Sequence, residues 1–375
     1  MPASASTLLN CGRLVVRAVV SSGLHTHTAS MLEADDAPLH TRARQHQQQQ
    51  PKGCSSQEGP PVHDNGGPSP STSVPATSSD KPSKHARRFI AACCGFPKDM
   101  LFGPSFVRDH GVFGDDACFI ARHKTADVVG IADGVGGWRQ HGIDPSIFSR
   151  SLMRACSNLV DAGKFEPDKP ALLLAAAYRQ LYLNRMKSIE RKEKFDRKTT
   201  LIGSSTACVV ALERSTSRLY TANLGDSGFI VMRGGRIVYQ SEEQTHYFNA
   251  PFQLALPPNI SEGDGFIGDS PEMADMKSFD IEDGDIILLA TDGLFDNLPT
   301  AFIERELAAL QKGDLTEQRV QEACNSLALQ ARRLAFDERH MSPFALKAKE
   351  HGIHAPGGKP DDITLVLVVI APVAV

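Results

Sequence analysis

From about residue 88 onward, short apolar runs rich in β-branched side chains alternate with clusters of turn residues. They predict strands over 117–121, 128–132, 205–211, 219–223, 229–232, 236–239, 286–290 and 363–370. Gly234-Gly235, between two of these runs, is a hairpin signal. A different period governs the stretches between. Phe148, Leu152, Cys156 and Leu159 fall on one helical face, opened by Asp144-Pro145 as cap and first position and closed by Gly163. A second helix is predicted from Pro170 through Leu181, and two more over 300–310 and 316–335. Strands group apart from helices. The pattern predicts an α+β fold in which two packed, mostly antiparallel β-sheets are flanked by helical pairs.

The first eighty-odd residues follow neither period. No acidic residue precedes Glu33, and Arg13 and Arg17 stand one helical turn apart beside Leu8, Leu9, Val15, Val16 and Val19. A basic amphipathic helix poor in acid and rich in Ser and Thr has the character of a mitochondrial transit peptide; a secretory signal would have an unbroken apolar core. Residues 1–40 are therefore expected to target the chain to the mitochondrion, to its matrix, although the same composition also fits an untargeted tail. Residues 41–87, with Gln45, Gln47 to Gln50 and many Pro, Ser and Gly, lack the apolar area that would offset ordering entropy and are expected to form a linker. No second break of this kind follows, so 88–375 is expected to be one domain.

Composition narrows the function classes. A net charge of −4 and the lack of a basic run with interleaved aromatics argue against nucleic-acid binding. Eight cysteines show no C-x-x-C spacing, which argues against a zinc site. The longest uncharged apolar stretch, Leu365 to Val375, is shorter than a bilayer span of roughly 18 residues.

Carboxylates mark the ends of the predicted strands. Asp115-Asp116 precedes the first, and Asp133-Gly134 ends the second. Asp292-Gly293 follows 286–290, and Asp361-Asp362 precedes 363–370. Acids converging from four such ends repel one another unless cations gather them, and hard oxygen donors suit Mg²⁺ or Mn²⁺. Glycine after Asp133 lets backbone approach an ion closely. Two such ions could activate water for phosphate-ester hydrolysis.

In this setting the chain resembles the metal-dependent type 2C protein serine/threonine phosphatases. Gly-Asp-Asp-Ala (114–117), Ala-Asp-Gly-Val-Gly-Gly-Trp (132–138), Gly-Ser-Ser-Thr-Ala (203–207), Asn-Leu-Gly-Asp-Ser-Gly (223–228), Ala-Thr-Asp-Gly-Leu-Phe-Asp-Asn (290–297) and Asp-Asp-Ile-Thr (361–364) occur in that family's order. Tyr-Phe-Asn-Ala-Pro-Phe-Gln-Leu (247–254) and Gly-Gly-Lys-Pro-Asp-Asp-Ile-Thr (357–364) resemble the mitochondrial branch of the T-cell-activation phosphatase homologue. The resemblance implies an α-β-β-α sandwich and two Mn²⁺ or Mg²⁺ ions, with a weak third in some members. Asp133 would bridge both ions, the Gly134 carbonyl would bind one, and Asp292 with Asp361 the other, while a water between the ions attacks phosphorus. Asp115 and Asp116 would act through metal-bound water, and Asp226 with Asp292 would hold the third ion. Asp226 also fits a plain turn carboxylate. Phosphorylated mitochondrial proteins, metabolic or mitophagy-related, are the partners the resemblance implies.

Three departures stand out. Where many members carry a phosphate-gripping arginine this chain has Gly111, which leaves Arg108, Arg122 and Arg139 as candidate cations. A histidine proposed as general acid is replaced by Val135, with His141 nearby, and the Gly-Asp-Ser motif ends on Gly228 where arginine is common. These losses motivate an alternative, a catalytically dead scaffold of the same fold. The complete acid set argues against it.

Overall fold

The computed structural model describes residues 86–98, 112–191, 193–194, 196, 200–258, 267–313 and 315–373. The expected targeting segment over 1–40 lies outside the described residues, as does the expected linker over 41–87 apart from its last two positions. In chain order the first strands are β1 (Arg87–Phe96), β2 (Val112–Phe113), β3 (Asp116–Arg122) and β4 (Ala126–Asp133), followed by helices α1 (Ser146–Asp161) and α2 (Pro170–Glu190). Then come β5 (Gly203–Ser205), β6 (Ala207–Glu213), β7 (Arg218–Leu224), β8 (Gly228–Arg233), β9 (Arg236–Gln240), β10 (Thr245–Tyr247), β11 (Ala250–Pro251), β12 (Leu254–Leu256), β13 (Asp275–Asp280) and β14 (Ile286–Ala290). Helices α3 (Asp292–Phe295), α4 (Thr300–Leu310), α5 (Glu317–Ala335) and α6 (Pro343–Glu350) lead to the last strand, β15 (Ile363–Pro372).

Two antiparallel sheets are stacked. One has the order β1-β15-β14-β8-β9, the other β13-β7-β6-β4-β3-β2. Side chains alternate across each strand, so one strand serves two cores. In β15, Val366, Val368 and Ile370 point between the sheets, where they meet Val129, Ile131, Val210, Phe229 and Leu289. Its other face, with Leu365, Leu367 and Val369, packs against Leu307 of α4 and Val320, Cys324 and Leu327 of α5. The second sheet mirrors this arrangement: Val128 and Val209 face Phe148, Leu152 and Leu174 of α1 and α2. The order of layers is helix, sheet, sheet, helix. Each fully buried Val, Leu or Phe contributes roughly 1.5–3 kcal/mol, which explains why continuous apolar runs rather than alternating ones mark the central strands.

The predicted strands all occur, with one informative break. Where one strand was expected over 205–211, β5 ends at Ser205 and β6 begins at Ala207. At Thr206 the chain leaves one pairing for another, since Thr206 N donates to Asp133 O at 3.0 Å while Asp133 N donates to Thr206 Oγ1 at 3.0 Å. Ser205 thereby pairs with β12 rather than extending β6. Gly234 and Gly235 both take positive φ, 58° and 78°, as a tight β8–β9 hairpin requires. Helix α1 starts at Ser146, one residue later than expected, with the Asp144 carboxylate accepting from Ser146 N at 3.0 Å. Helix α2 runs on to Glu190, well past the expected Leu181. Among the described residues no helix is long and apolar enough to cross a membrane.

Candidate metal centre

Register delivers the acids to one end of the sandwich. Asp116 at the start of β3 lies opposite Asp133 at the end of β4. Ala290 at the end of β14 lies opposite Leu365 in β15, so Asp292, just beyond β14, comes alongside Asp361 and Asp362, just before β15. Asp226 occupies the turn from β7 to β8, the connection that crosses from one sheet to the other.

Buried carboxylate oxygens of Asp133, Asp226 and Asp292 lie within 4.8 Å of one another. Asp361 stands outside that triad and is a quarter exposed; its Oδ2 is 3.5 Å from Lys359 Nζ, and that same ammonium lies 2.6 Å from Asp292 Oδ2. Asp226, expected only as a third-ion ligand or turn residue, is thus as central as Asp133. Asp116 accepts from Thr291 Oγ1 at 2.9 Å through Oδ2, while its buried Oδ1 has no hydrogen-bond partner. Burial, with Asp362 next to it, holds the Asp116 carboxyl well above the usual carboxylate range. Burial likewise pushes Asp362 up to about 6, against the pull of Lys98.

The donor set fits a hard divalent ion. Three clustered oxygens, an orphaned buried carboxylate oxygen and a close backbone are what such an ion with its waters satisfies. A Cβ on Gly134 would sit 2.6 Å from Asp115 O and 2.8 Å from Pro145 O, so only glycine lets the loop close over Asp133.

Behind the acids is a layer that locks them. Thr206 Oγ1, which holds Asp133 N, is 2.8 Å from Ser227 Oγ beside Asp226. Trp138 Nε1 donates to Ser204 Oγ at 2.7 Å, and Ser204 donates on to Gln253 Oε1 at 2.6 Å. Ser204 and Ser227 are therefore supports for the acids. Lys359 is buried and bonds Asp292 Oδ2 at 2.6 Å, Asp296 Oδ2 at 2.7 Å and Asn249 Oδ1 at 3.3 Å.

The three candidate cations fare differently. Arg122 ends β3 six residues from Asp116, about 20 Å away at strand rise, and cannot reach a phosphate at the acids. Of the candidate phosphate cations, Arg122 is therefore ruled out. Arg139 does reach the site, paired through Nε (3.1 Å) and Nη2 with Asp115. Arg108 lies outside the described residues. His141 is exposed beside Trp138, with ring centroids 6.0 Å apart.

A family model described as protein phosphatase 2C matches residues 105–328, more than half of the chain. The chain belongs to the protein phosphatase 2C family. It is 50% identical over 282 residues to proteins named protein phosphatase PTC7 homolog from Xenopus laevis and Homo sapiens, covering 75% of this chain and 89% and 87% of theirs. A solved structure, the photosystem II phosphatase PBCP, superimposes with a TM-score of 0.57 at 26% identity over 75% of this chain and 98% of that one. As a member of the protein phosphatase 2C family, the chain is a metal-dependent protein serine/threonine phosphatase, and the sandwich expected from the sequence is the family's fold.

Lys98, Lys359, Thr206 and Thr291 join the site without a chemical signature of their own in the sequence. Lys359 stands two residues before Asp361, its only local signal. Lys98 follows β1, whose run Arg-Arg-Phe-Ile-Ala-Ala-Cys-Cys-Gly-Phe alternates too weakly to mark its end.

Proposed function

We propose that the chain hydrolyses phosphoserine and phosphothreonine in proteins of the mitochondrial matrix, using two Mn²⁺ or Mg²⁺ ions. The observation that carries the metal assignment is the convergence of Asp133, Asp226 and Asp292, three buried carboxylates from three separate segments. Asp133 would serve both ions, with the Gly134 carbonyl on one and Asp292 with Asp361 on the other. Asp115 and Asp116 would act through water. Asp226, clustered with Asp133 and Asp292, would hold a third, weaker ion with Asp292. Bound ions supply a water acidic enough to attack near neutral pH and offset charge on the phosphoryl oxygens.

The chain's own residues orient this chemistry. Thr206 and Thr291 fix Asp133 and Asp116 from opposite sheets, and Lys359 stabilises the Asp292–Asp296 pair. Val135 offers no proton to the leaving alkoxide, so water takes that role. The basic, acid-poor first forty residues support the mitochondrial address, and the name of the relatives supports protein substrates.

The test uses purified full-length protein and phosphoserine and phosphothreonine peptides. Excess chelator is expected to abolish turnover and Mn²⁺ to restore it; Asp133→Ala and Asp226→Ala are each expected to lose at least about a hundredfold in rate together with Mn²⁺ binding by calorimetry. Turnover persisting in chelator would remove the metal assignment. Import into isolated mitochondria with shortening of the chain tests the address, and a chain left outside would refute it.

A further inference from the structure

The acid-rich end of the sandwich poses an electrostatic problem, because the substrate group itself is an anion carrying roughly −1.5 to −2 charges at neutral pH. A cation must meet it. Among the described residues four cations contact the acids, and two are committed elsewhere. Lys359 is buried in strong bonds to Asp292 and Asp296. Lys347 is held on Glu243 and Asp296, behind Lys359.

Lys98 is different. Its ammonium lies 3.5 Å from Asp115 Oδ2, 3.5 Å from Asp361 Oδ1 and 3.6 Å from Asp362 Oδ2. All three distances exceed the 2.7–3.2 Å of an N–H···O bond, so its charge is drawn to the acids while its three donors are not consumed by them. The side chain is 21% exposed, hence open on one side.

The backbone beneath Lys98 is fixed by one carboxylate. Asp362 accepts from Lys98 N through Oδ1 at 2.7 Å and from Asp115 N through Oδ2 at 2.9 Å, clamping the end of β1 to the start of β3. Asp115 in turn carries two cations, Lys98 on one oxygen and the Arg139 guanidinium across both. Arg139 is half exposed. Thus an ammonium and a guanidinium share Asp115 at the rim of the acid cluster, two positive charges where an arriving phosphate dianion needs them.

We propose that Lys98, with Arg139 beside it on Asp115, is the cation that receives the substrate phosphate in place of the arginine absent at Gly111. Asp115 is then a positioning residue that aims both cations, and Asp362 sets the backbone from which Lys98 reaches. This assignment rests on the reading of the chain as a phosphatase acting at the Asp133–Asp226–Asp292 end.

The experiment measures binding of inorganic phosphate to the full-length Mn²⁺-loaded protein by calorimetry, with a separate Mn²⁺ titration and KM and kcat on phosphopeptide. Lys98→Ala is expected to weaken phosphate at least about tenfold and to raise KM similarly, with Mn²⁺ affinity unchanged. Lys98→Arg is expected to stay within about threefold of the parent, since the charge is kept. Should Lys98→Ala fail to fold, Lys98→Gln, which keeps most of the stem, is measured in the same way. Unchanged phosphate affinity, or a shift in Mn²⁺ affinity alone, would show that Lys98 merely offsets the acids and would overturn the proposal. A parent protein that binds Mn²⁺ and phosphate through Lys98 but turns over no phosphopeptide would instead sink the phosphatase reading, so the two failures are distinct.

Discussion

Gly114 shows how much a single missing Cβ carries at this site. Its φ is +68°, and a Cβ there would fall 2.1 Å from Asp362 Oδ1, the oxygen that holds Lys98 N. Gly114→Ala is therefore strained twice, by conformation and by collision, and should cost about 1–3 kcal/mol. Urea unfolding should show a lower midpoint with an unchanged slope, and the variant should also bind phosphate more weakly because the clamp on Lys98 is pushed aside. A normal midpoint would mean that Asp362 swings away freely. The motif acids were legible at this scale, because Asp next to Gly at the ends of apolar runs has few structural uses that leave all of them buried. Their partners were not. Thr291 and Thr206 look like ordinary strand residues until the fold brings Thr291 against Asp116 from the other sheet and Thr206 against Asp133 from the neighbouring strand.

Elements differ in how firmly their ends are held. Helix α5 begins at the exposed Thr316, whose hydroxyl accepts from Arg319 N at 3.3 Å. Helix α6 begins at the fully buried Ser342, whose hydroxyl accepts from Ala345 N at 3.0 Å and donates to Gly357 O at 2.6 Å. The second cap also ties down the segment that leads to Lys359. Thr316→Ala should cost about 0.5–1 kcal/mol, and Ser342→Ala about 2 kcal/mol, because it also strands a buried carbonyl. Calorimetric melting of the two variants checks the order; a larger loss at Thr316 would contradict it. Helices with a clean apolar face, such as α1 and α5, were readable from their period. Others were not: α6 is only eight residues long, and β13, Asp-Met-Lys-Ser-Phe-Asp, is an edge strand too polar to show alternation, given its partner only by the register of β7.

At the scale of the molecule, β1 is an edge strand with an outsized role, because it pairs with β15 along ten residues and leads straight to Lys98. A chain beginning at Lys84 should retain chelator-sensitive turnover. One beginning after Lys98 should lose cooperative thermal unfolding as well as activity, since β15 and α5 would be left with uncovered apolar surface. Equal stability of the two would show that β1 is dispensable. The amino-acid order alone determined the layer composition of this protein and the acidic chemistry of its site, because burial on both faces writes continuous apolar runs and a metal site writes carboxylates at their ends. Which acids meet, and which cations face them, was decided only in three dimensions. Asp226 joins Asp133 and Asp292 through a turn that crosses between sheets, Lys98 meets Asp115 through a clamp between residues 264 positions apart, and Arg122 is carried to the far end by its own strand. Such distances depend on register and sheet order, which are properties of pairing between remote segments and leave no local trace in the chain.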